Sequence, residues 1–176
     1  GKLATRTEFL SERQEAAMVS VGSITAMEDA IQKYNEIVAG GGWPVVPKGK
    51  YEKNTTAERV ITLRQRLVTE GYLPFDALSI DKPESFDAEL ADALREFQRT
   101  HGVSPSGRMD ERTRAELNIS AEARLYTLRE NYPRISAYME GLGPRNILVN
   151  IPSAQLEAVE FGKVYSRHNV VVGKLE

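Results

Sequence analysis

Three consecutive glycines, the only tryptophan of the chain and a proline follow one another in the segment Gly40–Pro44. Four apolar residues recur at helical spacing before it: Met27, Ile31, Tyr34 and Val38. The spacing predicts a helix that begins with a capping box at Thr25 and Glu28 and ends at the glycines, because glycine favours the conformations that stop a helix. Proline cannot continue a helix, so an extended segment is expected as far as Gly49.

The residues before this helix carry a weaker pattern. The stretch from about Thr5 to Met18 is polar and compatible with a helix, and Val19–Ser23 is predicted as a break. We therefore assign residues 1–52 to a helical scaffold segment that includes the Gly-Gly-Trp-Pro linker.

A second helix is predicted after the linker. Its apolar stripe consists of Val60, Leu63 and Leu67. Thr55 and Glu58 form another capping box at its start, and Gly71 has the position of a left-handed C-cap.

A third helix is predicted from Phe86 or Asp87 to Thr100, with Gly102 as its stop. Its apolar face consists of Phe86, Leu90, Leu94 and Phe97. Asp110 then caps a short helix through Leu117. Three short helices around a small shared core are the simplest arrangement of this pattern, so the fold is predicted to be mainly α.

The C-terminal part of the chain changes in character. Ser120 is predicted to cap a connecting helix to about Asn131, which Pro133 breaks or kinks. Three strands are predicted at Ile147–Ile151, Gln155–Val159 and Asn169–Val172, with a hairpin turn at Glu160–Lys163. A sheet of so few strands is not stable alone. The strands must pack against the helices, pair with another chain or continue into a larger sheet.

Composition excludes several classes of function. A formal net charge of -2 argues against broad attraction to nucleic acid or anionic lipid. No apolar run is long enough to span a bilayer, and no apolar leader is recognised. The absence of cysteine excludes disulfides, thiolate metal sites and a cysteine nucleophile. His101 and His168 have no second ligand at metal-binding spacing, so no metal and no cofactor are expected.

Twenty residues from the second predicted helix to the short fourth one carry a family resemblance. They are Val60, Leu63, Arg64, Gln65, Arg66, Leu67, Gly71, Phe86, Asp87, Ala93, Leu94, Phe97, Gln98, His101, Gly102, Val103, Gly107, Thr113, Leu117 and Asn118. In this order and spacing they resemble the three-helix peptidoglycan-binding domain. The resemblance implies that this part of the chain binds the bacterial cell wall.

The flanking segments resemble the large bacterial L,D-transpeptidases. The residues concerned are Tyr34, Gly41–Pro44, Arg124, Asn131, Val149–Pro152 and Val170–Lys174. In that family a helical scaffold and a peptidoglycan-binding domain precede a β-rich catalytic domain. Pro133 departs from the charged residue expected after Asn131, which affects the expected path of the connecting helix.

The same resemblance predicts that this chain has no catalytic residues. The catalytic domain of the family carries a histidine and a Ser/Thr-His-Gly-Cys motif whose cysteine attacks the donor peptide, and the chain contains no cysteine. The predicted strands look like only the opening strands of that domain. The chain is therefore expected to be a truncated, non-enzymatic part of an L,D-transpeptidase-like cysteine acyltransferase.

Four segments are predicted on this basis. Residues 1–52 are the scaffold and linker, 53–119 the peptidoglycan-binding-like domain, 120–146 the connecting helix, and 147–176 a β fragment resembling the start of the catalytic domain.

Six residues are the candidates for ligand contact: Arg64, Tyr72, Arg95, Gln98, Arg99 and Arg108. The arginines suit the carboxylates of peptidoglycan stems, because a guanidinium binds a carboxylate with two hydrogen bonds. The alternative is that each is a solvated helix residue balanced by a nearby acid. Tyr72, like Tyr51, has the chemistry to stack on a sugar ring, although half-buried loop tyrosines are common.

Gln98 and Trp43 also have two interpretations each. The amide of Gln98 either binds a peptide stem or sugar or ties neighbouring loop backbone, and the pattern favours the loop. Trp43 either lines a saccharide groove or packs against the Tyr34 face of the first helix, and the pattern favours packing.

The sequence therefore predicts a non-catalytic module that binds and positions peptidoglycan in the bacterial periplasm or cell envelope. Its expected partners are peptidoglycan and the catalytic domain of the same protein, with self-association through the C-terminal strands as a further possibility and nucleic acid excluded. The alternative is a structural or interaction scaffold without glycan binding.

Overall fold

The structure is a computed structural model that describes residue 17, residues 19–151 and residues 154–171. Its helices are α1 (Val21–Ala39), α2 (Glu58–Thr69), α3 (Ala88–Thr100), α4 (Glu111–Leu117) and α5 (Ala121–Glu140), with a short 3-10 helix at Phe75–Leu78. Its strands are β1 (Arg145–Asn150), β2 (Gln155–Glu160) and β3 (Lys163–Asn169). The predicted fold class, mainly α with a short C-terminal β segment, is confirmed. Apart from Ala17, the helix predicted over about Thr5 to Met18 lies outside the described residues.

The chain divides into two compact units. One contains Gln32–Thr127, and the other contains Gly1–Ile31 together with Leu128–Glu176. Both boundaries fall inside helices, α1 and α5. The four-segment division of the sequence remains a prediction.

Helix α1 begins earlier than predicted. It starts at Val21, and Ser23 Oγ accepts a hydrogen bond from the backbone N–H of Ser20 at 3.1 Å. This bond closes the first turn before Thr25 is reached, so the predicted capping box at Thr25 is wrong. The predicted break extends only as far as Ser20.

Helix α1 ends at the three glycines, as predicted. The N–H of Gly41 donates to the carbonyl of Val38 at 3.0 Å, and the N–H of Gly42 donates to the carbonyl of Ile37 at 2.8 Å. Gly41 has a φ of 94°, which a residue with a side chain rarely adopts. This pair of bonds is the Schellman ending, and it directs the chain into the Trp43 segment.

The apolar stripes of α2 and α3 meet in one core within Gln32–Thr127. Four side chains predicted as core are fully buried: Leu63, Leu67, Leu94 and Phe97. Val46 and Tyr51, from the segment before α2, belong to the same core. Burial of an apolar side chain of this size stabilises the fold by roughly 1.5–3 kcal/mol. The segment after Gly42 is therefore part of the core and not a free linker.

Helix α2 begins without a side-chain cap. Its N-cap residue is Ala57, and Thr55 Oγ1 instead accepts a hydrogen bond from the N–H of Glu52 at 3.1 Å. The predicted capping box at Thr55 is therefore wrong, although the helix does begin at Glu58. The predicted left-handed ending at Gly71 is confirmed by its φ of 84°.

Aspartates cap the next two helices: the cap at Asp110 was predicted, whereas Asp87, predicted as a possible first residue of its helix, is the N-cap. Asp87 Oδ1 accepts from the N–H of Leu90 at 2.8 Å at the start of α3. Asp110 Oδ1 accepts from the N–H of Thr113 at 2.7 Å at the start of α4. The Asp110 cap fixes the end of the loop that joins α3 to α4, and the Asp87 cap fixes the end of the loop that precedes α3.

Helix α5 continues through its proline. Ser120 Oγ accepts a hydrogen bond from the N–H of Ala123 at 3.2 Å, which confirms the predicted cap. The helix extends past Pro133 to Glu140, so the prediction that it ends near Asn131 is wrong. Proline removes the hydrogen bond that its own N–H would donate, and the helix tolerates this loss.

The sheet is antiparallel with the strand order β1–β2–β3. Phe161 and Gly162 form the turn between β2 and β3, with φ values of 49° and 77°. Two successive positive φ values characterise the type I′ turn that joins tightly paired strands. Because the turn has two residues, β3 begins at Lys163, and it ends at Asn169. The strand predicted over Asn169–Val172 is therefore wrong at Val170 and Val171, and Val172 lies outside the described residues.

The two faces of β1 differ in burial. Leu148 is 4% exposed and packs with Val159 and Ala17. Side chains alternate along a strand, so Ile147 and Val149 lie on the other face, where they are 65% and 51% exposed. This second face of β1 is therefore uncovered among the described residues.

Candidate ligand-binding groove

A groove of about 590 Å³ lies beside the loop that joins α3 to α4. Its walls are formed by Tyr51, Glu52, Lys53, Phe86, Ala91, Arg95, Ser106, Gly107 and Arg108. We call it the cationic groove. All of these residues belong to the compact unit Gln32–Thr127.

The groove carries an excess of positive charge. Arg95 comes from α3, Arg108 from the loop between α3 and α4, and Lys53 from the segment before α2. The acidic residue of the wall, Glu52, is already paired with Lys50 at 3.0 Å. The chain has a formal net charge of -2, so this local positive charge opposes the sign of the whole molecule. Such a site attracts anions.

The amide of Gln98 holds the loop that carries Arg108. Its Nε2 donates to the carbonyl of Arg108 at 2.8 Å and to Thr113 Oγ1 at 3.0 Å. Its Oε1 accepts from the N–H of Gly107 at 2.8 Å. The side chain is fully buried, so its geometry matches the loop-tying interpretation and leaves its amide occupied. Gln98 therefore positions the groove and does not face it.

Gly107 lies directly under the guanidinium of Arg95. A Cβ at position 107 would lie 2.9 Å from Arg95 Nη2 and 3.0 Å from the carbonyl oxygen of Ala91. The residue also has a φ of 67°, which a residue with a side chain rarely adopts. Glycine at this position lets the loop approach α3 closely enough for both arginines to line one groove.

Arg64 does not reach the groove. Its side chain is fully buried, and its Nη2 donates to Asp87 Oδ2 at 2.6 Å and to the carbonyl of Ser85 at 3.0 Å. Its Nε donates to the carbonyl of Pro83 at 3.2 Å. In this position Arg64 ties the loop before α3 to α2 and offers no accessible group to a ligand.

Two further predicted residues also lie outside the groove. Arg99 is exposed near the end of α3 and pairs with Glu96. Tyr72 is half-buried, and its hydroxyl lies 2.6 Å from Thr100 Oγ1 while its ring packs edge-on against Phe97. Of the six predicted residues, the structure thus brings Arg95 and Arg108 together, with Gln98 behind them.

Trp43 packs as the sequence favoured. Its ring meets Tyr34 edge-on at 5.8 Å, and its Nε1 donates to the carbonyl of Ile119 at 3.1 Å. The guanidinium of Arg66 lies over the same ring. These contacts hold the indole inside the helical unit.

A buried carboxylate, Glu70, joins several parts of the unit Gln32–Thr127. It pairs with Arg66 at 2.7 Å and accepts a hydrogen bond from the hydroxyl of Tyr34. His101 Nε2 and Arg124 Nε lie 3.6 Å and 4.0 Å from its Oε1. We call these five residues the Glu70 cluster. It links the C-terminal turn of α2 to α1, α5 and the end of α3.

The surroundings of Glu70 change its acidity. Burial alone would raise the pKa of its carboxyl, but the polar contact with His101, the charge of Arg66 and the hydrogen bond from Tyr34 outweigh burial and lower the pKa to about 2. Burial, with the hydrogen bond to Glu70, raises the pKa of the Tyr34 hydroxyl. The carboxylate is therefore ionised, and the phenol is neutral, at neutral pH.

Sequence reasoning missed Glu70 and Lys53. One signal for Glu70 was available, since Arg66 and Glu70 are four residues apart on one helix and such pairs meet. Lys53 had no comparable signal, because only the fold brings the segment before α2 next to the loop after α3.

A second cavity of about 670 Å³ lies on the sheet. It is lined by Arg145, Asn146, Ile147, Ala158, Val159, Glu160 and Tyr165. Arg145 and Glu160 pair with each other at 2.7 Å across the strands, so the charges at this site are already balanced. None of the six predicted ligand residues lies there.

Residues 17, 19–151 and 154–171 hold no group of three or more histidine, aspartate or glutamate side chains arranged for a metal ion. In the same part of the chain, no helix combines the length and apolar character that crossing a bilayer requires.

Comparison with known proteins identifies the segment that contains most of the groove. Residues 56–117 match the family model described as a peptidoglycan binding domain. The matched segment covers α2, α3, α4 and their loops. No curated protein matches the chain.

Proposed function

We propose that the unit Gln32–Thr127 binds peptidoglycan non-covalently through the cationic groove. The observation that carries this proposal is the family match over residues 56–117, which supplies six of the nine wall residues and a description of the ligand. The excess positive charge of the groove supports the same conclusion, since peptidoglycan stems are rich in carboxylates. A cell-wall location follows from this function, and the bacterial periplasm or envelope is the compartment we infer.

We further propose that the module serves an L,D-transpeptidase-like protein and positions the wall for its catalytic domain. This part rests on the resemblance of the flanking segments to that family. The chain has no cysteine, so it would act by binding and not by acyl transfer. Sequencing the gene beyond codon 176 tests the idea, and a continuation without a Ser/Thr-His-Gly-Cys motif would refute it.

Retention on insoluble peptidoglycan sacculi tests the binding proposal. The chain is incubated with purified sacculi, and the bound fraction is measured after centrifugation at low and moderate salt. We expect retention by the unaltered chain and its loss in the double variant Arg95→Gln, Arg108→Gln. Arg99→Gln is the matched control, because Arg99 and Arg95 lie on the same helix and each pairs with an acid three residues earlier. No retention of the unaltered chain at low salt would reject the proposal.

The alternative function is a structural brace without glycan binding. The Glu70 cluster favours it, since a buried ion pair and the Tyr34 hydroxyl fasten α2 to α1. A brace predicts that Arg95→Gln, Arg108→Gln leaves wall association and stability unchanged. It also predicts that Glu70→Gln changes the free energy of unfolding. No change in wall association should then be traceable to the groove.

The sheet suggests a second contact. We propose that its uncovered strand edges pair with another chain or with the catalytic domain, because β1 and β3 each have one side without a partner strand among the described residues. Sedimentation velocity across a hundredfold concentration range tests self-association. A monomer at every concentration would leave the catalytic domain as the proposed partner.

A further inference from the structure

The aromatic rings of the cationic groove are not available to a sugar. Tyr51 and Phe86 are only 3% and 2% exposed. The hydroxyl of Tyr51 donates to the carbonyl of Pro47 at 2.8 Å, and the guanidinium of Arg59 lies 5.6 Å from the centre of its ring. Sugar rings pack on accessible aromatic faces. The groove therefore lacks the surface that recognition of a glycan chain requires.

Its cations, in contrast, are available. Arg108 forms no ion pair among the described residues, and neither does Lys53. Arg95 pairs with Asp92, but the two side chains are 48% and 71% exposed, and an exposed pair of this kind contributes little. A ligand carboxylate can therefore replace Asp92 at small cost.

The position of the two arginines suits a carboxylate. A guanidinium presents a planar set of donors that matches the two oxygens of a carboxylate. Arg95 lies over Gly107, and Arg108 is the next residue of the same loop, whose backbone Gln98 holds by two hydrogen bonds. The buried rings beneath exclude water from one side, which strengthens charge interactions relative to open solvent.

We infer that the cationic groove recognises free carboxylates of the peptidoglycan peptide stem and not the glycan chain. This inference rests on the proposed binding function and adds the part of the polymer that is bound. The carboxylates in question are those of the glutamate, diaminopimelate and terminal alanine residues of the stem. The partly exposed side chain of Ala91 in the groove wall suits the alanine methyl groups that separate them.

Defined fragments test the inference with the full chain. Three probes are titrated by isothermal calorimetry: a disaccharide-peptide with free carboxylates, the same compound with its carboxylates amidated, and the glycan chain without peptide. We expect the free-carboxylate probe to bind at least about tenfold more tightly than the amidated one, because a charge-assisted hydrogen bond is lost. The glycan without peptide is expected to give no saturable binding. Inorganic phosphate at equal ionic strength should not displace the peptide probe.

Variants connect the binding to the groove. Arg108→Gln should remove the preference for free carboxylates, while Arg99→Gln should keep it, and both side chains are exposed, so neither change should disturb folding. Equal affinity for the free and amidated probes, or binding of the bare glycan, would overturn the inference. Displacement by phosphate would overturn it in favour of a general anion site. If sacculi retain the unaltered chain and no stem probe binds, the inference fails and the proposed function stands. If sacculi do not retain the unaltered chain, the proposed function itself is rejected.

Discussion

The guanidinium carbon of Arg66 lies 3.6 Å from the centre of the Trp43 ring. Nε of the same arginine donates to the carbonyl of Leu117 at 2.9 Å, and the group pairs with Glu70. A single buried cation thus meets the segment after α1, the end of α4 and the last turn of α2. The tryptophan covers a charge that would otherwise face solvent, so its role is to stabilise the unit.

Replacing Trp43 with alanine should lower the free energy of unfolding by about 2 kcal/mol or more. The change removes the ring that covers Arg66 and the hydrogen bond to Ile119, and a cation over a desolvated indole contributes up to about 2 kcal/mol. Urea denaturation followed by circular dichroism measures the loss. Phe75→Ala is the control, since Phe75 is 85% exposed and should give almost no change. Similar losses for the two variants would contradict the stabilising role.

Glu70 should make the stability of the chain depend on pH in the acid range. The folded state lowers the pKa of this carboxyl from 4.5 to about 2, so its contribution is fully present above pH 4.5. As the pH falls from 4.5 toward 2, the unfolded state takes up the proton first and the contribution is lost. Thermal melts between pH 2 and pH 7 measure the effect.

The variant Glu70→Gln should flatten that profile. It should also lower the free energy of unfolding at pH 7 by roughly 3–5 kcal/mol, because it leaves the buried Arg66 without its counter-charge. Glu58→Gln, at an exposed position in the first turn of α2, serves as the control. A profile in Glu70→Gln as steep as in the unaltered chain would show that other groups cause the acid sensitivity.

Gln98→Leu should lower both the stability of the loop between α3 and α4 and the binding of sacculi by the groove. The change leaves the N–H of Gly107 and the hydroxyl of Thr113 without their partner, which costs roughly 1–3 kcal/mol. Faster amide hydrogen exchange at Gly107 and lower retention on sacculi should accompany the loss. The exposed residue Gln65 provides the control variant, Gln65→Leu. Unchanged exchange at Gly107 would refute the positioning role of Gln98.

A fragment of residues 32–127 should be more stable than one of residues 56–117. The shorter fragment lacks Val46 and Tyr51, which are buried in the core and each contribute roughly 1.5–3 kcal/mol. It also lacks Tyr34 and Arg124 of the Glu70 cluster. Equal urea midpoints for the two fragments would mean that the family match alone defines the folding unit.

Much of the helical fold could be predicted from the sequence, because its signals are local. The stripes of Leu63, Leu67, Leu94 and Phe97 follow helical spacing, and Asp87 and Asp110 cap by bonding an N–H three residues away. Thr55 shows the limit of such signals. Its hydroxyl accepts from Glu52 upstream instead of from the helix, and the two alternatives look alike in a sequence.

The candidate site was harder to predict because its charges depend on burial and on distant segments. Arg64 and Arg66 follow the pattern of solvated helix residues, yet both are fully buried, where one carboxylate and three carbonyls from other segments accept hydrogen bonds from them. Arg95 and Arg108 line one groove only because Gly107 lets the loop approach α3 closely. Sequence spacing places none of these contacts.

The Phe161–Gly162 turn offers a way to change the stability of the sheet without changing the unit Gln32–Thr127. Phe161 is 74% exposed and adopts a φ of 49°, a conformation in which asparagine is far more comfortable than a bulky residue. Exchanging this one side chain for asparagine would tighten the hairpin without altering any residue of Gln32–Thr127. Retention on sacculi could then be compared between chains that differ only in the stability of the β hairpin, while the groove stays chemically unchanged.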